Sequence, residues 1–584
     1  MDGLLFVKDW PSGVYYVFTG TTGPLGRPIA LLSFLVDAHE YPYSPAQFFY
    51  TNTLIHLVNV ALVALVLIRL QRLAPTVFPI SPWFVTLTAG FWGVLPILVS
   101  TSMMVVQRMT SLSALFVLLG IWLYLWGRSR HDKPWPVAVT VMGVGLCTLL
   151  AAYTKEIGVL LPVYLVILEL TLGRHFPKTP GAWPALVLRW AIALPSLAVV
   201  GYLLWRLPGI SSGYVHRPFD LTERLATQTI ILWDYLRLGF LPQVTALHPY
   251  HDDYPIRDFG SPLVWLASVG WVAAVVTALV YRRTVPLLAF AVFWYLGGHL
   301  IESTIIPLEL YFEHRNYLPI LGPVLALAVA VTRLPLRSSL TAGAVGLYLA
   351  FLIFVLFQTL SIWGSRHHEF WAQHHPDSPR AVQMLAQAYF DAGQHDRSLQ
   401  LLEATWQRNP KLSSVGMQAL RLRCLRNEPE AFRTLLGDLD NKLGDSNFSS
   451  LTLHAFERVE ELHRSSHCPE IRAQDIHGLA DALLSNPRFA ARGASRQRIH
   501  SVKAKVSLHA GYPDGAIAHL RNAIAASANQ ENVSLLYALL LETGQSREAL
   551  LLLDEVEARG PRNRLVNDRW LAYVEALRAA HPDR

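Results

Sequence analysis

Charge is what this sequence has least of. Only 16% of its 584 residues are Asp, Glu, Lys or Arg, against about 25% in a soluble domain. Hydrophobic residues make up 52% and the mean hydropathy is +0.31. A wholly water-soluble chain is excluded; much of this one has lipid for its solvent. Cysteine is almost absent, with Cys147, Cys424 and Cys468 alone. None has CxxC or another metal-ligand spacing. A Cys424–Cys468 disulfide would need an oxidising compartment, and spacing leaves it open. There is no Gly-rich phosphate loop, no GxSxG and no HExxH, which argues against a nucleotide-driven enzyme or a hydrolase of those classes. The net charge of +7 does not come in basic runs interleaved with aromatics, so no nucleic-acid partner is expected. The opening MDGLLFVKDWPSGVYYVFTG lacks a basic start and an apolar core, so no signal peptide is expected.

What the sequence has is long apolar runs, and they are unevenly placed. Up to about residue 364 they are broken only by short polar stretches; beyond it the composition is that of a soluble protein. The expectation is an all-α chain in two parts: a polytopic membrane bundle over 1–364 and a soluble helical domain over 365–584. Residues 1–23 read as a polar-aromatic loop, and Ile29 to Val36 as a short amphipathic stretch. About ten spanning helices follow, each near the ~20 residues a bilayer demands: 48–69, 83–101, 108–127, 136–153, 157–173, 188–205, 262–281, 285–301, 317–333 and 340–363. The long 206–261 connection holds an amphipathic helix, about 221–241.

Alternate short loops carry the cations: Arg69 and Arg72; Arg128, Arg130 and Lys133; Arg174 and Lys178; Arg282 and Arg283; Arg333 and Arg337. The positive-inside rule puts these in the cytoplasm. The opposite face then receives the N-terminal segment, Lys155-Glu156, the 206–261 and 302–316 loops and the soluble domain. Membrane lipids are expected partners throughout the first part.

The soluble part has the tetratricopeptide pattern. AVQMLAQAYFDAGQHDRSLQLLEATWQRNP (381–410) is two helical patterns around Gly393. The segments HAGYPDGAIAHLRNAI and LETGQSREALLLLDEV repeat it, with Gly511 and Gly544 about one repeat of 34 residues apart. Stacked repeats form an α-solenoid whose concave face takes protein or peptide.

The chemistry-bearing stretch is GGHLIESTIIPLELYFEHRNYLP, 297–319. Its ionisable groups border hydrocarbon, where charge is costly unless it faces a cavity or a partner. His299, Glu302, Glu309, Glu313, His314 and Arg315 therefore read as the wall of a polar pocket. Arg27, Arg108, Lys155 and Arg315 fall near the same interface, where cations clamp phosphate or snorkel to head groups; Arg108 reads as the latter. Asn52, His56 and Asn59 share one helix face and read as interhelical hydrogen-bonding groups. His251, Asp252 and Asp253 have oxygen and nitrogen donors for a divalent cation but read as a loop cap.

Several of these pieces together resemble one family: GPLGRPIALLSF (23–34), TNTLIHLVN (51–59), KEIGVLLP (155–162), LWDYLRLGFLPQ (232–243) and HLIESTIIPLELYFEHRNYLP (299–319), followed by the repeats. The chain resembles bacterial relatives of the transmembrane and tetratricopeptide repeat-containing O-mannosyltransferases, in the GT-C superfamily. The resemblance implies a glycosyltransferase of the bacterial inner membrane with its repeats in the periplasm, and a polyprenyl-phosphate sugar donor. A protein or peptide acceptor would be presented by the repeats. It implies a base among Glu302, Glu309 and Glu313, and substrate or lipid-phosphate contacts from Arg27, Lys155, Glu156, His299, His314 and Arg315. The phosphate would be steadied by these cations or by a divalent cation. The family's acidic motif in the first external loop has no clear match among Asp2, Asp9 and Asp37. The expectation is a truncated start or a catalytically incomplete chain, and the alternative is a non-catalytic scaffold for envelope or pilus assembly.

Overall fold

Proline decides where the apolar half of the chain turns. It fixes φ and lacks the N–H a helix interior needs, so it belongs in a first turn. In the computed structural model of the chain, helices Pro45–Leu73, Pro82–Gly93, Leu161–Thr171, Pro262–Tyr281 and Pro286–Gly298 all begin with proline in the first turn. The structure describes residues 2–20, 23–38, 45–79, 81–130, 134–177, 182–335, 338–364, 367–426, 428–561 and 563–580. Among them there are 27 α-helices and no strand. His39, Glu40, Lys133, Lys178 and Arg337 lie outside the described residues.

The chain divides into two compact units. One comprises Met1–Ile210 with Leu221–His367, the other Ser211–Asp220 with His368–Arg584. In the first, six helices are long and apolar enough to cross a membrane: Pro45–Leu73, Val105–Arg128, Trp135–Thr154, Leu186–Ile210, Pro262–Tyr281 and Ser339–Gly364. A seventh is reached by joining Pro82–Gly93 to Pro96–Met103 across a 54° bend. The other three of the ten expected spans are short helices. Leu161–Thr171, Pro286–Gly298 and Leu321–Thr332 have 11, 13 and 12 residues. At 1.5 Å per residue each covers about 20 Å or less, short of the ~30 Å core. The apolar composition of 285–301 and 317–333 is real, but their ends are given over to the polar run between them.

Two local readings are corrected. Residues 1–23 are not a plain loop: a 3-10 turn, Asp2–Phe6, leads into helix Trp10–Phe18. Asp9 caps that helix, its Oδ1 accepting the Ser12 N–H at 2.8 Å. Arg108 does not snorkel. It is fully buried, donating to Asn52 Oδ1 at 2.7 Å, Ser33 O at 2.8 Å and Phe48 O at 3.0 Å, and pairing with Asp37. The polar face of helix Pro45–Leu73 behaves as read. Asn59 Nδ2 reaches Ser111 O at 2.8 Å, and His56 bridges Tyr317 Oη and Gly93 O at 2.7 and 2.9 Å.

The second unit is a row of helix pairs from Pro379–Asp391 to Ser546–Ala558, closed by Arg564–Ala579. The first helices of successive pairs also touch: Pro379–Asp391 packs on Ser413–Leu425, that helix on Ser450–Arg464, and that one on Gly493–His509. Gly511 and Gly544 sit in the turns at φ +80° and +77°, where a side chain would be strained. Cys424 and Cys468, both buried, form a disulfide with their Cα atoms 5.4 Å apart.

His519 adds a pH dependence to this unit. Its ring lies 5.5 Å from that of His477 and 6.2 Å from that of His500, and its Nδ1 is buried without a partner. Burial first, then Lys503, His477 and His500, hold it down to about 4, with Asp481 pulling the other way. The unfolded chain binds this proton near 6.5 and the folded one only near 4, so stability falls as pH drops through that window. Denaturant melts at pH 7 and pH 5 check this: His519→Gln should flatten the slope, and an unchanged slope counts against it.

Candidate functional site

The polar run between the short helices Pro286–Gly298 and Leu321–Thr332 has almost no regular structure, and its conformation is imposed from outside. Two arginines do most of this. Arg224, on helix Leu221–Phe240, is fully buried. It donates to Glu302 O at 2.7 Å, Thr304 O at 2.7 Å, Leu308 O at 2.5 Å and Glu309 O at 3.4 Å. Arg315 donates to Glu309 O at 2.6 Å and Leu310 O at 2.7 Å. The guanidinium fork suits such multiple donation. Sequence reading missed Arg224. Its only signal was a lone arginine at the start of an amphipathic helix, which ordinarily reads as a surface charge.

The loop so held meets the Lys155 turn. Lys155 Nζ lies 2.8 Å from Glu302 Oε1 and 3.0 Å from Thr110 Oγ1, and both charged side chains are buried. Burial pulls the Lys155 ammonium down and Glu302 pulls it back. Burial likewise pushes Glu302 up, but Lys155, then Arg315 and His314, outweigh it and hold the carboxyl at about 2. The pair is ionised, because the ammonium has two oxygen acceptors at hydrogen-bond distance. Next to it, Glu156 accepts from Arg27 Nη2 at 2.7 Å and Nε at 3.0 Å. Arg27 sits at φ +55° just before helix Pro28–Leu35, and the bidentate grip fixes its direction.

His314 and Arg315 are buried in the 3-10 turn Glu313–Asn316. His314 Nδ1 and Arg315 Nε have no hydrogen-bond partner. Burial, then Lys155, pushes the His314 imidazole well below its ordinary value. Together with Thr110, Tyr164, Glu302 and Tyr317 these two residues line a cavity of about 20 Å³, room for about one water. His299 stands beside this group. Its ring stacks on Tyr235 at 5.6 Å, and its nitrogens meet Ser303 Oγ at 3.1 Å and Asn316 Oδ1 at 3.3 Å. Burial holds it down to about 3, so it is a neutral hydrogen-bonding group at pH 7.

The three expected carboxylates therefore part company. Glu302 is locked to Lys155. Glu313 accepts from the His248 N–H at 3.2 Å and pairs with His251 Nε2 at 2.7 Å. Glu309 contributes its backbone carbonyl to both arginines. Four segments distant in sequence are linked in series, Arg27 to Glu156, Lys155 to Glu302, and Arg224 to the 302–309 backbone. Among the described residues no group of three His, Cys, Asp or Glu side chains is placed to hold a metal ion. His251 instead turns to Glu313, so the site residues do not fit a divalent cation.

Comparison with protein-family models, with curated proteins and with solved structures returns no match.

Proposed function

We propose that the chain is a bacterial inner-membrane glycosyltransferase of the GT-C type, related to the transmembrane and tetratricopeptide repeat-containing O-mannosyltransferases. It moves a sugar from a polyprenyl-phosphate donor to a protein or glycan acceptor on the periplasmic face. One observation carries this reading: Glu302, His314 and Arg315 line one buried cavity, Lys155 is bonded to two of its lining residues, Glu302 and Thr110, and His314 and Arg315 each hold a buried nitrogen without a partner. Buried polar atoms without partners cost free energy, and an incoming anion would supply the acceptor that the Arg315 Nε–H lacks. A departing lipid phosphate develops charge there, where preorganised donors are worth most. The Arg27–Glu156 pair adjoins Lys155, and a base held against the 302–316 run takes the acceptor proton. The helix pairs of the second unit, read as tetratricopeptide repeats, hold the acceptor. The Cys424–Cys468 disulfide suits an oxidising compartment such as the periplasm.

The test is transfer by the purified chain in liposomes, from a polyprenyl-phosphate hexose to a Ser/Thr-rich peptide. Arg315→Ala and Lys155→Ala should each slow transfer by about 10²-fold or more, the scale of a lost oxyanion donor. A folded wild-type chain that neither binds the donor nor releases lipid phosphate would rule the activity out.

A second reading, a membrane-anchored scaffold, is favoured by the size of the cavity. At about 20 Å³ it admits no sugar phosphate unless the Lys155–Glu302 pair opens. On that reading the ion pairs are a structural lock, and both substitutions lower stability without abolishing partner binding.

A further inference from the structure

The Glu313–Asn316 turn serves two places at once. His314 and Arg315 face the cavity, while Glu313 faces His251. The His251 and Glu313 side chains are 4% and 2% exposed, so their 2.7 Å bond is largely shielded from solvent. An ionised carboxylate can only accept, so His251 Nε2 carries the hydrogen of that bond. With Nε2 so occupied, Nδ1 is the position at which a neutral imidazole accepts. A carboxylate that fixes the tautomer and orientation of an imidazole is the arrangement general bases use. His251 is joined to the cavity-lining His314 through Phe312: its ring centroid lies 4.5 Å from Tyr311 and 6.0 Å from Phe312, and Phe312 stacks on His314 at 5.0 Å. Three carboxylates of this unit are poorer candidates. Glu302 is bound to Lys155, Glu156 to Arg27, and Asp37 to Arg108. Each must leave a cation before it can take a proton.

We infer that His251 is the proton acceptor of the transfer reaction and that Glu313 is its positioning residue. This rests on the functional reading above. The acceptor hydroxyl oxygen bonds to the anomeric carbon as the bond from that carbon to the phosphate oxygen breaks. The electron pair stays on the polyprenyl phosphate. The hydroxyl proton passes to His251 Nδ1, and the imidazolium releases it to water after the product leaves. The groups that bear on the ring's titration are Glu313, His248, Tyr311 and, across Phe312, His314; Asp252 and Asp253 adjoin it in sequence.

The decisive variant is His251→Gln. Its side-chain amide can still donate to Glu313 but cannot accept a proton. The assay uses the full chain in liposomes with a polyprenyl-phosphate hexose and a Ser/Thr-rich peptide, reading transfer and donor binding separately. The expected result is a loss of transfer of about 10²-fold or more in both His251→Gln and His251→Ala, with donor binding kept. Added imidazole should restore part of the rate in His251→Ala. Glu313→Gln should lose less and shift the pH profile of the rate. Wild-type rates in His251→Gln overturn the role of His251, and so does a loss confined to His251→Ala that imidazole does not rescue. If the wild-type chain binds donor but transfers to no acceptor, the functional reading falls first and this role with it.

Discussion

Replacing Lys155 with Met lowers the stability of the first unit by about 3–5 kcal/mol, the cost of stranding a buried charge. Lys155 and Glu302 are 8% and 9% exposed and 2.8 Å apart, so neither has bulk water to fall back on. In the variant the Glu302 carboxylate stays buried, with Arg315 and His314 as the nearest compensation. The double variant Lys155→Met/Glu302→Leu recovers most of the loss, because removing both charges removes the desolvation penalty too. The pH dependence distinguishes this from a packing defect. In the wild type Glu302 is held down at about 2, so its contribution is full above the unfolded value near 4.5 and is lost as pH falls towards 2. The deficit of Lys155→Met should therefore shrink in acid, where protonated Glu302 carries no stranded charge. Unfolding in mixed micelles at pH 7 and pH 4 measures both. A double variant no better than the single one would show that Glu302 is held by something other than Lys155.

Arg224→Ala costs on the order of 4 kcal/mol, through a broken buried network. Four backbone carbonyls between Glu302 and Glu309 receive donors from this one side chain. Without it the 302–310 segment has too few internal bonds to hold its path. Hydrogen exchange should rise over 302–310 while the long helix Pro45–Leu73 keeps its protection. Arg224→Lys should restore only part of this, since a point ammonium cannot reproduce the fork. Exchange confined to helix Leu221–Phe240 would mean that Arg224 holds its own helix and not the loop.

Periodicity made the helices legible, down to the amphipathic helix read at 221–241 and found at Leu221–Phe240. It failed at 157–173, 285–301 and 317–333, where hydropathy averages over a window and does not see a helix stop after 11 to 13 residues. Arg108 was misread for a related reason. Its one-dimensional neighbourhood resembles an interfacial cation, and only the approach of Asp37 and Asn52 makes a closed shell around it. In the sequence His251 reads, with Asp252 and Asp253, as part of a loop cap. Its ring took Glu313, 62 residues away, and no local pattern carries that information.

The sequence by itself determined an all-helical chain, the apolar first half, the paired helices of the second, and the polar run at 297–319. These follow from composition and from periods of a few residues, which local backbone physics reads directly. Only the tertiary structure decided which ionisable groups pair, which carbonyls the buried arginines satisfy, and which imidazole meets a carboxylate. Such choices depend on desolvation, since a charge taken from water accepts whatever partner the fold brings within about 3 Å. That partner is set by the packing of helices far apart in the chain.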